Sequence, residues 1–439
     1  MDYPSQVKNT LLAALDEMSA QTDTFVKDPG RDFTRKRKLG FMDTMLFFLT
    51  SGSGTTKHEL YRHFEYDMNT PSVSAFCQQR AKLEIEAFRH LARVINSEYP
   101  LEKYLDTYQL IAVDGSDFNI ARNPSCKRSY YPPNNKSTRG YNLVCVVPLY
   151  DILNRRYLDM EFMGGRVRNE HRALCDLVDR HEGQAPAIFL ADRGCASYNV
   201  FAHMIENDVY FLIRAKDITV KRLLGERLLG DEALDETVTR ILTRSHAKKY
   251  RDLAKKDLYR TITKRVPLDY LEGGLDDEYE LTVRVARFKL GENTWENVIT
   301  NLPEYAFGAR ELKELYSLRW EIELSFRDLK HTIGATEFRS GKLEYVEQEL
   351  WARLILYNLC SIITTHVVVI KYTGLKYVYK INFSLAIKIC HDFFRLKAGR
   401  PPPDVVALIG ANLLPVRAGR KYNRQKRFRF PSSFAYRFS

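Results

Sequence analysis

The stretch "YQLIAVDGSDF" (residues 108–118) decides the fold. A short apolar run from Leu110 to Val113 stops at Asp114-Gly115, and Asp117 follows. So brief an apolar run, bounded by a turn signal, reads as an apolar strand. The same grammar recurs in "PAIFLADRG" (186–194), where a buried strand ends at Asp192-Arg193-Gly194. Between the two lie "YNLVCVVPLYD" and "RRYLDMEFM", two strands joined by a turn, and "NEHRALCDLVDRH", a helix. The helix "YNVFAHMIEN" and the strand "VYFLIRA" come next. Strands, then strand alternating with helix, predict an α/β domain with a mixed sheet. An Asp after a strand is ordinarily a turn former or helix cap. The ends of sheet strands are also where α/β folds build their sites, and two carboxylates on neighbouring ends can converge.

Working outward, residues 1–100 read as a helical domain. "KLGFMDTMLFFLT" is an apolar helix stopped by "SGSG". Thr56 with Glu59 makes a capping box that opens "KHELYRHF". Thr70 followed by Pro71 caps and starts a third helix, "PSVSAFCQQRAKLEIEAFRHLARVI". Three short helices with tight turns suit a helix-turn-helix-like DNA-binding unit. In the third, Gln78, Gln79, Arg80 and Lys82 could meet DNA, although a solvated polar face would look the same. Residues 106–216 form the first part of the core. Over 217–302, "KRVPLDY", "YELTVRVARFKL" and "ENVITNLP" alternate with a period of two, predicting a β-rich insertion with some helix near 220–245. Residues 303–375 resume the core, and 376–439 are helical, then basic. The tail "VRAGRKYNRQKRFRF" interleaves Arg420, Lys421, Arg424 and Arg427 with aromatics. It can clamp a phosphate backbone or simply be solvated.

The resumption opens on "LYSLRWEIELSFRDLK" (315–330). At about 100° per residue of helix, Arg319, Glu323 and Lys330 lie at about 300°, 340° and 320° from Tyr316, an arc of roughly 60°. Leu315, Leu318, Ile322, Phe326 and Leu329 make the adjoining apolar stripe. Surface helices set charges opposite their apolar face; here a narrow polar row runs beside it, as though lining a site. Arg319 and Glu323 also fit an ordinary i, i+4 ion pair, worth a few tenths of a kcal/mol. That pairing leaves Lys330 on the same face unexplained.

Bulk composition narrows the classes. The 439 residues are 45% hydrophobic and 28% charged, which fits a folded chain of several cores. A net charge of +12 favours a polyanionic partner, most simply nucleic acid. The seven cysteines form no CxxC pair, which argues against a zinc site or disulfide framework and for reduced cytoplasmic thiols. The N-terminus has no apolar signal core. The run "LILYNLCSIITTHVVVI" (354–370) is short and interrupted by Asn358, Ser361 and His366, so it reads as a buried core helix and not a membrane span. Three carboxylates, Asp114, Asp192 and Glu323, repel one another unless cations compensate. Mg²⁺ suits such oxygen ligands, and two ions about 3.5–4 Å apart stabilise both oxygens of an in-line phosphoryl transfer.

Tyr316-x2-Arg319-x3-Glu323-x6-Lys330 matches the YREK signature of the IS-four family of bacterial insertion-sequence transposases. "VDGSDF" and "FLADRG" resemble the two aspartate motifs of its DDE triad, and "ENVITNLP" and "RW" are also similar to the family. The resemblance covers most of the chain, most strongly from about 106 to 360. It implies an RNase H-like core with mixed sheet, interrupted by the β-rich insertion and flanked by helical N- and C-terminal parts. It further implies that Asp114, Asp192 and Glu323 are metal-binding catalytic residues for two Mg²⁺ ions, with Mn²⁺ able to substitute. Tyr316, Arg319 and Lys330 would contact DNA phosphates, and Trp295 and Trp320 would hold a flipped base during hairpin formation. Each Trp could equally be a core residue. The implied activity is cut-and-paste transposition: binding terminal inverted repeats, cleaving the element ends, and joining 3′-OH ends to target DNA. The partners are double-stranded DNA and a second copy, giving a dimer or higher assembly on DNA, with no membrane. The implied setting is the bacterial cytoplasm, at the nucleoid. A metal-dependent nuclease on the same fold, or a silent transposase-derived DNA-binding protein, are the competing readings.

Overall fold

The computed structural model describes residues 2–416 except 53, 136–137, 184, 226–231, 248–249, 251–257, 272–273, 275–276, 292–293, 335–337, 368–376 and 397–400. The chain begins with five helices: α1 (Tyr3–Ala20), α2 (Phe41–Thr50), α3 (Thr56–His63), α4 (Val73–Arg80) and α5 (Ile85–Ser97). Asp2 caps α1 by accepting from the Ser5 amide at 3.0 Å. Two capping expectations shift. The cap of α3 is Thr55, whose hydroxyl accepts from His58 N at 3.2 Å. Glu59 accepts instead from Gly52 N and Gly54 N and pairs with Arg395, so there is no capping box. The long helix expected from Pro71 starts after Ser72, which caps it through Ala75 N, and it breaks in two. The cause of the break is tertiary. Leu83, fully buried, bridges to Val26; Lys27 N donates to Lys82 O and Glu84 N to Phe25 O. That pairing takes residues 82–84 out of the helix.

The core follows as β1 (Gln109–Val113), β2 (Ser116–Ile120), β3 (Tyr130–Tyr131), β4 (Tyr141–Asp151), β5 (Arg156–Gly164), α6 (Glu170–Asp179), β6 (Ala187–Ala191), α7 (Tyr198–Glu206), β7 (Tyr210–Ala215) and α8 (Asp217–Leu224). β6 runs parallel to β1 and to β7, while β4 is antiparallel to β1 and to β5. The order β5–β4–β1–β6–β7 makes the expected mixed sheet. β1 and β2 share one edge of β4, and Asp114-Gly115 is the step between them. The side chains of β1 divide by parity, as a strand period of two requires. Leu110 and Ala112 enter one core; Ile111 and Val113 enter the other. The sheet thus separates a core packed on helices α6 to α8 from a larger one packed on the N- and C-terminal helices.

Between residues 234 and 300 the chain adds β8 (Leu234–Thr243), β9 (Tyr259–Thr261), β10 (Glu278–Gly291) and β11 (Thr294–Thr300). They extend the same sheet beyond β7 in the order β11–β10–β8–β9, giving eleven strands. The helix expected near 220–245 ends at Leu224, and 234–243 is strand, with Val238 and Leu242 facing the second core. "KRVPLDY" forms no strand. Pro267 lacks a donor, Leu268 is drawn into the core, and Asp269 is held by Asn199, His203 and Arg172.

The C-terminal part contains α9 (Ala309–Ser317), α10 (Trp320–His331), α11 (Leu343–Thr365), β12 (Val378–Ile381), α12 (Phe383–Arg395), α13 (Val405–Gly410) and β13 (Leu413–Val416). α11 is buried along nearly its whole length between α5, α12 and β5. Among the described residues no helix is long and apolar enough to cross a membrane. The single helix expected over 315–330 is two helices. At Leu318 and Arg319 the backbone stays right-handed but bonds i to i+3: Leu318 N to Leu315 O, Arg319 N to Tyr316 O, Ile322 N to Arg319 O. Each such residue turns the chain by about 120°, so the angular arithmetic holds from Arg319 to Lys330 and fails for Tyr316.

Candidate catalytic site

Val113 and Ala191 are register partners in the parallel pair β1–β6. The next residues, Asp114 and Asp192, therefore leave adjacent strand ends, with strands roughly 4.8 Å apart. Each carboxylate accepts from the following amide, Asp114 from Gly115 N at 2.9 Å and Asp192 from Arg193 N at 2.5 Å. Gly115 lets the Glu170 side chain pack close to the turn. A Cβ there would stand 2.9 Å from the carboxyl group of Glu170 in the first turn of α6.

Glu323 comes from α10. Its carboxylate accepts from Arg319 Nη2 at 3.2 Å. The Arg319 guanidinium, 5% exposed, lies 5.1 Å from the Trp320 ring and 5.7 Å from that of Tyr316. Among the described residues two donor positions in this group make no well-aligned hydrogen bond, Arg319 Nε and the Tyr316 hydroxyl, itself 5% exposed and within reach of the Arg319 guanidinium as an acceptor only. Burial pushes Tyr316 up to about 12, with Arg319 opposing and Asp192 and Glu296 adding. At neutral pH it is a donor. Lys330 Nζ donates to Ser116 Oγ at 2.7 Å and to Asp117 O at 2.9 Å, and lies 4.5 Å from the Phe118 ring centre. It ties α10 to the segment that follows Asp114.

Electrostatics join the parts. Asp114 is pushed up to about 6, first by burial, then by Glu323 and Asp192, against Arg319 and the Gly115 amide. All three acids thus act on one neighbourhood. In this structure no three acidic, His or Cys side chains among the described residues close into a cage for an ion. The donor set still suits a hard divalent cation. It is all carboxylate oxygen, and Asp114 carries a repulsion that such a cation would offset. Asp117, the competing aspartate, is bound at 3.3 Å by Arg168, which also holds Glu170 at 3.2 Å.

Other expected DNA contacts fare differently. Arg80 and Gln79 are 3% and 4% exposed. Arg80 donates to Gln348, Glu349 and the Tyr345 carbonyl and stacks on Tyr345 at 4.4 Å. It joins α4 to α11 and faces no solvent that DNA could occupy, which corrects the expectation for both residues. Lys82 is half-buried against Asp32 and Phe33; Gln78 alone of the four is exposed. Trp320 is 47% exposed, whereas Trp295 is half-buried over Arg287 at 5.0 Å. Arg420, Lys421, Arg424 and Arg427 lie outside the described residues. Sequence reasoning missed Glu170 and Glu296. Glu296 is buried on β11, paired with Arg214 at 2.9 Å and within the field of Arg319 and Asp192. Glu170 was signalled only by its place in a helix first turn; nothing in the spacing marks Glu296.

Residues 106–359 match the family described as the transposase DDE domain. The chain belongs to that family. The matched span runs from just before β1 through most of α11, so both aspartates and Glu323 lie within it. Among curated relatives, the transposase InsG for insertion sequence element IS4 of Escherichia coli (strain K12) is 51% identical over 55 residues, 12% of each chain. The transposase for insertion sequence element IS231F of Bacillus thuringiensis subsp. israelensis is 36% identical over 63 residues, 14% of this chain and 13% of that one. The chain thus aligns with only about an eighth of either relative's length. A piggyBac transposase synaptic complex with hairpin DNA superposes at a TM-score of 0.43 and 10% identity, over 96% of this chain and 87% of that one.

Proposed function

We propose that this chain is a cut-and-paste transposase: it binds the terminal inverted repeats of its element, cleaves the ends and joins the freed 3′-OH groups to target DNA. The observation that carries this reading is the mutual field of Asp114, Asp192 and Glu323 at two parallel strand ends and one helix, which holds Asp114 near 6. Asp114, Asp192 and Glu323 are the proposed ligands for two Mg²⁺ ions, with Mn²⁺ able to substitute. Bound there, the ions would supply a polarised nucleophile, water and then 3′-OH, and counter-charge for the leaving oxygen.

The chain's own groups do the positioning. Arg319 Nε and the Tyr316 hydroxyl, neither of which donates a well-aligned hydrogen bond among the described residues, are suited to phosphate oxygens next to the acids. Lys330 keeps α10 in register with β2. The exposed ring of Trp320 offers a stacking face for an extruded base, worth about 1–3 kcal/mol, and Trp295, backed by Arg287, offers a second. An element has two ends, so the active form on DNA is at least a dimer. Its substrate places it in the bacterial cytoplasm, on the chromosome.

The test is incubation of the full chain with its element ends and Mg²⁺. Wild type should give cut and joined products. Glu323→Gln should bind the ends within about twofold yet cut them at least about 10²-fold more slowly. Equal cutting by the variant removes Glu323 from the site. Cut DNA with no joined product would identify a metal-dependent nuclease instead.

A further inference from the structure

The three acids sit near the middle of the sheet, and its two flanks differ. On one side, two strands from β6 and so roughly 10 Å away, β11 carries Trp295, and α9 packs against the neighbouring β10. On the other side, two strands from β1, lie β5, β3 and the loops around them. From Phe118 to Tyr150 the sequence contains no Asp or Glu but five Lys and Arg. Arg122, Lys127, Arg128 and Arg139 of this stretch are exposed, as are Arg166 and Arg168 just after β5.

The two segments form one surface. Arg166 N donates to Arg128 O at 3.0 Å, and the Tyr131 hydroxyl donates to Gly165 O at 2.7 Å. The approach is so close that a Cβ on Gly164 would lie 2.4 Å from Arg128 O. Tyr131 stacks on Tyr141 at 5.1 Å, and Arg166 lies 5.8 Å from the Tyr131 ring centre; Arg122 lies 5.7 Å from that of Tyr130. Two of the cations, Arg122 and Arg166, therefore lie against tyrosine rings. Of the acids on this flank, Asp117 and Glu170 are bound by Arg168, Asp159 and Glu161 of β5 are bound by Arg180, and Glu347 lies within the field of Arg128. Lys127, Arg139 and Arg166 form no ion pair among the described residues.

We infer that this edge binds the phosphate backbone of a second DNA duplex, the target into which the element ends are joined. Joining needs two duplexes at one set of acids. The reading above gives the Trp295 and α9 flank to the element end, which leaves the flank of exposed cations for the target. Exposed cations along a sheet edge suit sequence-independent phosphate contact. The inference rests on the proposed transposase reading, so its test separates the two.

The probe is the full-length triple variant Lys127→Gln, Arg139→Gln, Arg166→Gln, assayed on element-end DNA and on a random duplex. Binding and cutting of element ends should stay within about twofold of wild type, while joining to the random duplex falls at least about tenfold. Removing three phosphate contacts should also lower the slope of log affinity against log salt for the random duplex by about 2.7. Cutting and joining that fall together would assign the edge to the element end and overturn the inference, as would an unchanged salt slope. If wild type cuts no ends, the transposase reading fails by itself. The random-duplex arm then still decides whether this edge binds DNA.

Discussion

The chain contains two stretches that read as continuous helices and are not: residues 71–95 and 315–330. Both break without Gly or Pro, and their causes differ. The first breaks because Leu83 must reach Val26 in the core. The charged residue just before it, Arg80, is then partnered on all three nitrogens. The second breaks through a tight i to i+3 turn, and the polar groups around it, Tyr316 and Arg319, are left with donors unmatched although buried. The first break satisfies every nitrogen of its charged residue and leaves one acceptor beside it, Gln79 Oε1, without a partner among the described residues. A break that leaves buried donors waiting is better explained by something that comes to meet them.

The largest effect that would test this contrast is at Arg80. Arg80→Ala takes the closest cation from the buried carboxylate of Glu349, which keeps only the Arg339 amide and the more distant Arg353, and should cost about 3 kcal/mol of unfolding free energy, read by denaturant titration. The surviving folded fraction should bind element ends as wild type does. Weakened binding by that folded fraction would put Arg80 back in the DNA interface.

Next comes Asp114. Burial and two neighbouring acids raise it to about 6 from its ordinary 3.8, so the folded state holds its proton more tightly than the unfolded one. Ionising it therefore opposes folding. The opposition is absent below pH 4, grows between 4 and 6, and is complete above 6. Asp114→Asn should stabilise the metal-free protein by about 1–2 kcal/mol at pH 7.5, and the gain should vanish near pH 4. It should also abolish cutting. A gain independent of pH would mean that the neighbouring acids do not repel Asp114.

The smallest effect belongs to Tyr316. Tyr316→Phe removes a buried hydroxyl that donates no well-aligned hydrogen bond among the described residues, so stability should hold or rise by under about 1 kcal/mol. End cleavage should nevertheless drop about tenfold, about 1.4 kcal/mol of lost interaction. Destabilisation by Phe would show that the hydroxyl serves the fold.

What could be read from the sequence follows the range of each interaction. The runs 108–113 and 186–191 were legible as apolar strands because polarity and length are local properties, and parallel pairing then sets Asp114 beside Asp192. The spacing of Arg319, Glu323 and Lys330 was legible because they share one helix. Tyr316 was misplaced because a right-handed 3₁₀ step leaves no mark in composition. Arg80 was misread because its partner, Glu349, is 269 residues away. Val26 and Leu83 defeat local reading in the same way, since nothing beside Leu83 announces a distant strand partner. Glu170 and Glu296 were missed because one looked like an ordinary first-turn acid and the other like a strand residue.

The placement of α11 has a consequence for synthesis. Both aspartates and the whole sheet precede it on the chain, yet the larger core closes only when α11 slots between the early helices and the sheet. A polypeptide interrupted before Leu343 would leave that face of the sheet covered only in part, by α5 and α10, and would deprive α10 of its packing on α11. An unfinished chain would then lack the helix against which α10, the carrier of Glu323, is packed, so the proposed third ligand would be set only once synthesis had passed α11.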